Sequence, residues 1–438
     1  MIVLGLLSGT SMDGLDVAVA DIEIAGGTAR LTPLAASTTP WSPGLRDRLL
    51  ALLPPAATTV AELCELDTLV GQCAAEVAEA ALADLGRPGE LVCWLGQTVF
   101  HWVVDGCAKG SLQLGQPAWI AERTGLPVVS DLRTRDIAAG GHGAPLASTL
   151  DALWLAGPTR RAALNIGGIA NITVVGRPGD PVLGYDTGPG NCLLDVVATR
   201  ARSGARSDQR SYQRSDQRSR QVDGAPGFDV DGTLAAAGRV DVDLLARLLA
   251  EPYYAAEPPK STGRELFTAA YLDAALAAHA APHPDPDLAP HAAPDPNPDL
   301  APADVAATLV ALTARTVADA CARHGVTEVV GSGGGMRNPV LVAALRAALS
   351  PVPLRSSDEL GLPVDAKEAY LTALLGVLSW HGVPGVAPGA TGSRVPRVLG
   401  RFSPGNGPLR LPEPAGPVHA LRVCAPAGPL RVGVPCTM

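Results

Sequence analysis

The chain has 438 residues, 47 % of them hydrophobic and 18 % charged, which is ample apolar mass for a buried core and too much length for one ordinary domain. Its 34 basic and 43 acidic side chains leave a formal net charge of −9, which argues against a general binder of nucleic acid or anionic membranes. Aromatic residues make up only 4 %, so Ala, Val and Leu must supply the core volume.

No uninterrupted apolar run reaches the roughly 18 residues of a membrane span. The opening MIVLGLLSG lacks the basic region and cleavage site of a signal peptide. Eight scattered cysteines form no Cys-x-x-Cys pair and read mostly as small buried residues in a reducing compartment, so the expected location is the cytoplasm.

Residues 2–8 (IVLGLLS) make an apolar run of strand length. A polar turn from Gly9 to Gly14 follows, and 15–24 (LDVAVADIEI) alternates as a second strand. Leucines spaced by three and four predict helix over 43–86. Residues 90–95 read as a buried strand ending at Gly96-Gln97-Thr98, and 126–130 as another ending at Asp131. The segment 162–175 (AALNIGGIANITVV) repeats the opening pattern of strand, glycine turn and strand. This predicts an internal duplication, with one lobe over 1–160 and a second over 161–402. Residues 328–335 (EVVGSGGG) give a third strand-to-glycine junction, before a helix over 339–349. Two segments look inserted: 202–222, which contains RSDQRS twice, and the Pro/Asp-rich 281–302. Both read as solvated loops. The Pro/Gly-rich tail 403–438 is either a packed extension or a frayed end.

Glycine turns at 9–14, 167–168 and 331–335 can present backbone N–H groups to phosphate oxygens. There is no Walker sequence, and no Gly-x-Gly-x-x-Gly follows the first strand, so a nucleotide would be held by hairpin turns from two lobes. Carboxylates crowd these turns. Asp13 and Asp16 border the first, Asp131 and Asp136 flank Arg133 and Arg135, and Asp186 sits after a short strand in YDTGPGN, placed to accept a proton. Mg²⁺ would need only one or two of them together with phosphate oxygens. Arginine supplies nearly all the positive charge; the three lysines are Lys109, Lys260 and Lys367. Lys260 precedes Ser261 and Thr262, expected to cap a helix, and its scarcity marks it for a functional role. Lys367 reads as solvated.

Taken together, LSGTSMDGLDVAVAD, SDLRTRDIAAGGHGAPL, LNIGGIANIT, GYDTGPGNCLLD, PPKSTGRELF and GSGGGMRNPVL resemble the anhydro-N-acetylmuramic acid kinase family, in the family's order and over roughly residues 2–400. The resemblance implies an α/β, two-lobed actin-like sugar kinase fold with the nucleotide in the interlobe cleft. It implies that ATP and water convert 1,6-anhydro-N-acetylmuramic acid to N-acetylmuramic acid 6-phosphate and ADP, in recycling of cell-wall sugars. Gly9, Thr10, Ser11, Met12, Asp13, Gly14, Leu15 and Asp16 match the ATP-phosphate turn, with Asp13 a candidate ligand for Mg²⁺. Gly167, Gly168, Gly333, Gly334 and Gly335 are further candidate ATP contacts. Asp186 matches the base that activates water, and Thr98, His101, Arg135 and Glu368 match positions near the sugar. The implied partners are a small amino sugar and a second copy in a homodimer, with no nucleic acid or membrane. Two positions depart from the pattern: Leu95 stands where the family commonly has His, and His142 where it has Gln. Both bear on sugar affinity more than on the reaction class. Another actin-like sugar kinase, or a non-enzymatic nucleotide-gated protein, are the competing readings.

Overall fold

The computed structural model describes residues 1–9, 12–53, 56–212, 227–258, 260–263, 266–280, 300–387, 389–425 and 431–432. The chain forms two compact units: Met1–Arg161 with Thr173–Gly184 and Ser356–Met438, and Ala162–Ile172 with Tyr185–Arg355.

The first unit is built on β1 (Ile2–Ser8), β2 (Gly14–Ala25), β3 (Thr28–Pro40), β4 (Leu91–Val104), β5 (Cys107–Leu114) and β6 (Val128–Ser130). The sheet runs β6-β4-β1-β2-β3, with β5 paired off the path to β4. Strands β1, β2 and β3 form an antiparallel meander, while β4 and β6 add in parallel. A parallel step needs a crossover, here containing helix Val60–Leu85. Thr59 caps that helix by accepting from the Glu62 amide. The helix expected over 43–86 is thus two helices, Pro43–Leu50 and Val60–Leu85, because Pro54-Pro55 cannot continue a helix.

All seven residues of β1 are buried, as a central strand covered on both faces requires. Ile2, Leu4 and Leu6 pack with Leu66 and Val70 of the crossover helix. Val3 and Leu7 join the opposite cluster with Tyr370, Ala373 and Leu374 of helix Lys367–Trp380. Gly5 lies on this second face, where a Cβ would fall inside the backbone of Ala369 and Ala373. Strand β4 runs through Gly96-Gln97-Thr98 to Val104 instead of ending there, because β5 pairs with it from Gln97 onward.

The second unit carries β7 (Arg161–Ile166), β8 (Ile169–Val175), β9 (Leu183–Pro189), β10 (Glu328–Ser332) and β11 (Leu354–Ser356), in the order β11-β10-β7-β8-β9. Counting β1, β2, β3, β4 and β6 as first to fifth, both sheets have the order third, second, first, fourth, fifth. That shared order is the duplication expected from the two hairpins. Helix Pro302–Arg323 forms much of the core. It has the length and hydropathy of a membrane span, yet 72 % of its most apolar window is buried inside the protein.

Two expectations need correction. The segment from Ser356 belongs with the first unit rather than with a lobe over 161–402, because the apolar helix Lys367–Trp380 covers β1, β2 and β4. Of the two readings left open for the tail, its described residues follow the packed extension: β12 (Arg401–Ser403) pairs with β6, and β13 (Ala420–Val423) pairs in parallel with β3. Helix Cys192–Tyr212 also enters the first proposed insertion, as a continuation of a helix whose first turns pack by Leu193, Leu194 and Val197. The remainder of that segment, 213–222, and 281–299 of the second lie outside the described residues. Among the described residues no cysteine forms a disulfide; Cys93, Cys192 and Cys321 are buried, whereas Cys64 and Cys107 are exposed.

Candidate active site

In the first unit, the turn after β1 is braced by side chains from neighbouring strands. Met12 N donates to Gly9 O at 3.1 Å. Ser8 Oγ lies 2.8 Å from Gly14 O and 2.5 Å from Gln97 Oε1, with its one proton to donate to either, while Gln97 Nε2 donates to Gly9 O at 3.2 Å. The side chains of Met12 and Leu15 are buried in the core, so at these two positions only the main chain could serve a phosphate. Thr10 and Ser11 lie outside the described residues. Asp13, the expected Mg²⁺ ligand, is instead ion-paired with Arg46 Nη2 at 3.0 Å.

Asp16 is the second carboxylate bordering this turn. Its Oδ1 accepts from Thr38 Oγ1 at 2.6 Å. Burial pushes its pKa from 3.8 up to about 6; the Thr38 hydrogen bond opposes this, and the nearby charges of Glu368, Asp365 and Asp13 add to it. A folded pKa above the unfolded value means that ionised Asp16 costs stability, fully above pH 6 and not at all below pH 3.8. Asp16→Asn is therefore expected to stabilise the ligand-free protein at pH 8, by on the order of 2–3 kcal/mol. The gain should shrink as pH falls through 6. Thermal melts from pH 8 down to pH 5 check this, and a gain that does not vary with pH would refute it. Among the described residues no three His, Cys, Asp or Glu side chains form a metal cluster. A cation here would therefore draw most of its ligands from phosphate and water.

The expected sugar contacts fall partly together, also in the first unit. Thr98 Oγ1 accepts from Gln113 Nε2 at 3.3 Å. His101, three residues further along β4, has its pKa lowered by burial and by the neighbouring Arg133 and His142, which favours the neutral ring as a hydrogen-bonding group. Burial also lowers the pKa of Arg133, opposed by the charge of Glu368. Glu368, Arg133, His101 and His142 are thus linked by charge. Arg135 is not among them; it is exposed on the short helix Thr134–Ala138. Arg133, which the sequence shows only beside its flanking carboxylates, stands in that group. Its Nη1 donates to Gly143 O at 2.7 Å, and its buried Nε has no hydrogen-bond partner among the described residues. Spacing alone could not separate the two arginines of SDLRTRD. Leu95, one of the departures from the family pattern, packs against the core.

In the second unit, the glycine turns gather at the ends of β7 and β10. Gly190 N donates to Gly168 O and Asn191 N to Gly167 O, both at 2.9 Å. Gly333 has φ +86°, and a Cβ there would meet Asn165 Oδ1 and Ile166 O. Gly334 has open space where a side chain would stand, so its backbone can be approached closely. Asp186 lies within β9 rather than after it, since the strand continues through Gly188 to Pro189. Thr313 Oγ1, from helix Pro302–Arg323, donates to Pro189 O at 2.9 Å and ties down the strand end. Asp186 Oδ2 accepts from Ser261 Oγ at 2.8 Å and from Thr262 N at 2.9 Å. Tyr253 Oη donates to the Asp186 carbonyl at 2.7 Å. Among the described residues Ser261 and Thr262 cap no helix; the next described one begins at Ala269.

The two sheets share one strand order, with glycine turns at their strand ends, and the second holds an acidic side chain fixed on its third strand. The family model described as anhydro-N-acetylmuramic acid kinase matches residues 1–405. The anhydro-N-acetylmuramic acid kinase of Streptomyces coelicolor is 52 % identical over 426 residues, covering 97 % of this chain and 99 % of that one. That of Rhodococcus erythropolis is 48 % identical over 414 residues, covering 93 % and 95 %. The chain belongs to the anhydro-N-acetylmuramic acid kinase family. A solved ROK family glucokinase from Streptomyces griseus is similar only distantly, at 12 % identity and a TM-score of 0.34 over 86 % of this chain and 99 % of that one.

Proposed function

We infer that the protein uses ATP and water to convert 1,6-anhydro-N-acetylmuramic acid to N-acetylmuramic acid 6-phosphate and ADP. The observation that carries this reading is Asp186, a carboxylate held by side-chain and main-chain donors on a strand that the family match includes.

Water is a poor nucleophile, and a positioned base that takes its proton contributes about 10²–10⁴-fold. In the proposed reaction the water oxygen bonds to C1 as the C1–O6 bond breaks, and Asp186 receives the water proton. The freed O6 then attacks the γ-phosphorus, and the β–γ bridging bond breaks to leave ADP. The phosphoryl step demands in-line positioning and charge neutralisation more than covalent help. Mg²⁺ on the phosphates would supply part of that neutralisation, with Asp16 as the carboxylate suited to face it. The backbone N–H groups around Gly9, Gly167, Gly168 and Gly333 to Gly335 suit phosphate oxygens. Arg133, with its unpartnered buried Nε, suits an acceptor on the sugar better than exposed Arg135 does, beside Thr98, His101 and Glu368. Such an enzyme would work where ATP is made, in the cytoplasm.

The test is a rapidly quenched reaction of protein, ATP, Mg²⁺ and anhydro sugar in ¹⁸O-water. The expected product carries the label on C1 and none in the phosphate. Label in the phosphate would overturn the order of bond breaking. Turnover of free N-acetylhexosamines with none of the anhydro sugar would select a different sugar kinase.

A further inference from the structure

We propose that Lys260 and Ser261 are positioning residues for Asp186, with the Lys260 ammonium pinning the loop whose Ser261 hydroxyl fixes the carboxylate. The proposal rests on the reading of Asp186 as the base.

Lys260 Nζ donates to two successive carbonyls, Tyr253 O at 2.9 Å and Tyr254 O at 3.1 Å, and lies 4.6 Å from the centroid of the Tyr253 ring. Those contacts tie the 260–262 segment to the short helix Pro252–Ala255. Each side of this joint then grips Asp186 at a different place. Tyr253 Oη takes the main-chain carbonyl, while Ser261 Oγ and Thr262 N both take Oδ2. Backbone and carboxylate are therefore fixed together by one pinned loop. Two donors on one oxygen hold the carboxyl plane in a single orientation.

The pin calls for lysine specifically. Two adjacent carbonyls and an aromatic face surround a compact ammonium with three rotatable donors. A planar guanidinium presents its donors in a rigid fork and cannot match that arrangement. Lysine occurs three times in the chain, and arginine supplies the rest of the 34 basic side chains, so a lysine at this joint is a chemical choice rather than a reflection of composition. Thr262 Oγ1, buried beside the same carboxylate, has no hydrogen-bond partner among the described residues; the loop thus brings a second hydroxyl to the site.

The test uses the full-length enzyme with ATP, Mg²⁺ and the anhydro sugar. Ser261→Ala is expected to lower kcat by about 10- to 100-fold, the scale of a misplaced catalytic group, with the KM for ATP unchanged. Ser261→Thr, which keeps the hydroxyl, should recover most of kcat. Lys260→Arg should lower kcat about tenfold, again without moving the KM for ATP. Added to Asp186→Asn, neither change should cost anything further, because the group they position has lost its function. Wild-type kcat in Ser261→Ala, alongside an inactive Asp186→Asn, would overturn this proposal alone. Equal losses of kcat and ATP affinity that Ser261→Thr does not restore would reduce the loop to a structural element and also overturn it. An active Asp186→Asn would instead remove the reading of Asp186 itself.

Discussion

Replacing Asp186 by Asn is expected to cut turnover of the anhydro sugar by at least about a hundredfold while ATP still binds, the scale lost when a general base is removed. The exchange is well suited to the question. Asparagine has nearly the same shape, and its amide oxygen can still accept from Ser261 Oγ and Thr262 N, so the strand and the loop keep their contacts. The main-chain bond from Tyr253 Oη does not involve the side chain at all. What disappears is the capacity to take a proton. A loss of kcat with unchanged ATP affinity, measured by calorimetric titration of the same preparation, therefore reports on proton transfer rather than on folding. Steady turnover in the variant would mean that another group activates the water, or that water is not the first nucleophile.

Much of this site was legible in the sequence because it is local. Both hairpins are written as apolar alternation around glycine turns, and Gly333 and Asp186 stand inside motifs whose turn chemistry leaves few alternatives. What the sequence hid depends on contacts between distant segments. Ser261 and Thr262 looked like a helix cap, since nothing local says that a residue 75 positions earlier needs their donors. Arg133 and Arg135 are alike in composition and neighbourhood; only the packing of the segment half-buries Arg133, with its Nε inside, and leaves Arg135 exposed. The return of Lys367–Trp380 to the first sheet was hidden for the same reason, because a helix's own periodicity does not name the strand it will cover.

The largest effect on stability is expected at Lys367, which looked solvated in sequence and is in fact buried. Its Nζ lies 2.7 Å from Asp151 Oδ1, with the two side chains only 5 % and 3 % exposed. Lys367 opens helix Lys367–Trp380, where the helix dipole disfavours a cation, so the carboxylate from helix Ala147–Leu155 offsets both that field and the loss of water. Lys367→Met leaves Asp151 charged, dry and alone, and Asp151→Asn does the same to Lys367. Each single change should cost about 3–5 kcal/mol. Removing both charges together, as Asp151→Leu with Lys367→Met, should cost less than either single change, because no unpaired ion remains. Hydrogen exchange of the amides in Lys367–Trp380 and in β1 reads these costs locally, without requiring the two units to unfold as one. Should both single variants exchange as slowly as the wild type, the pair would have to be hydrated. If instead the double variant is as unstable as the sum of the singles, the two side chains stabilise the unit independently and not as a pair. The pattern expected of a dry pair has a functional consequence as well. Glu368 follows Lys367 directly, so the same ion pair that seats the helix also sets where that carboxylate begins.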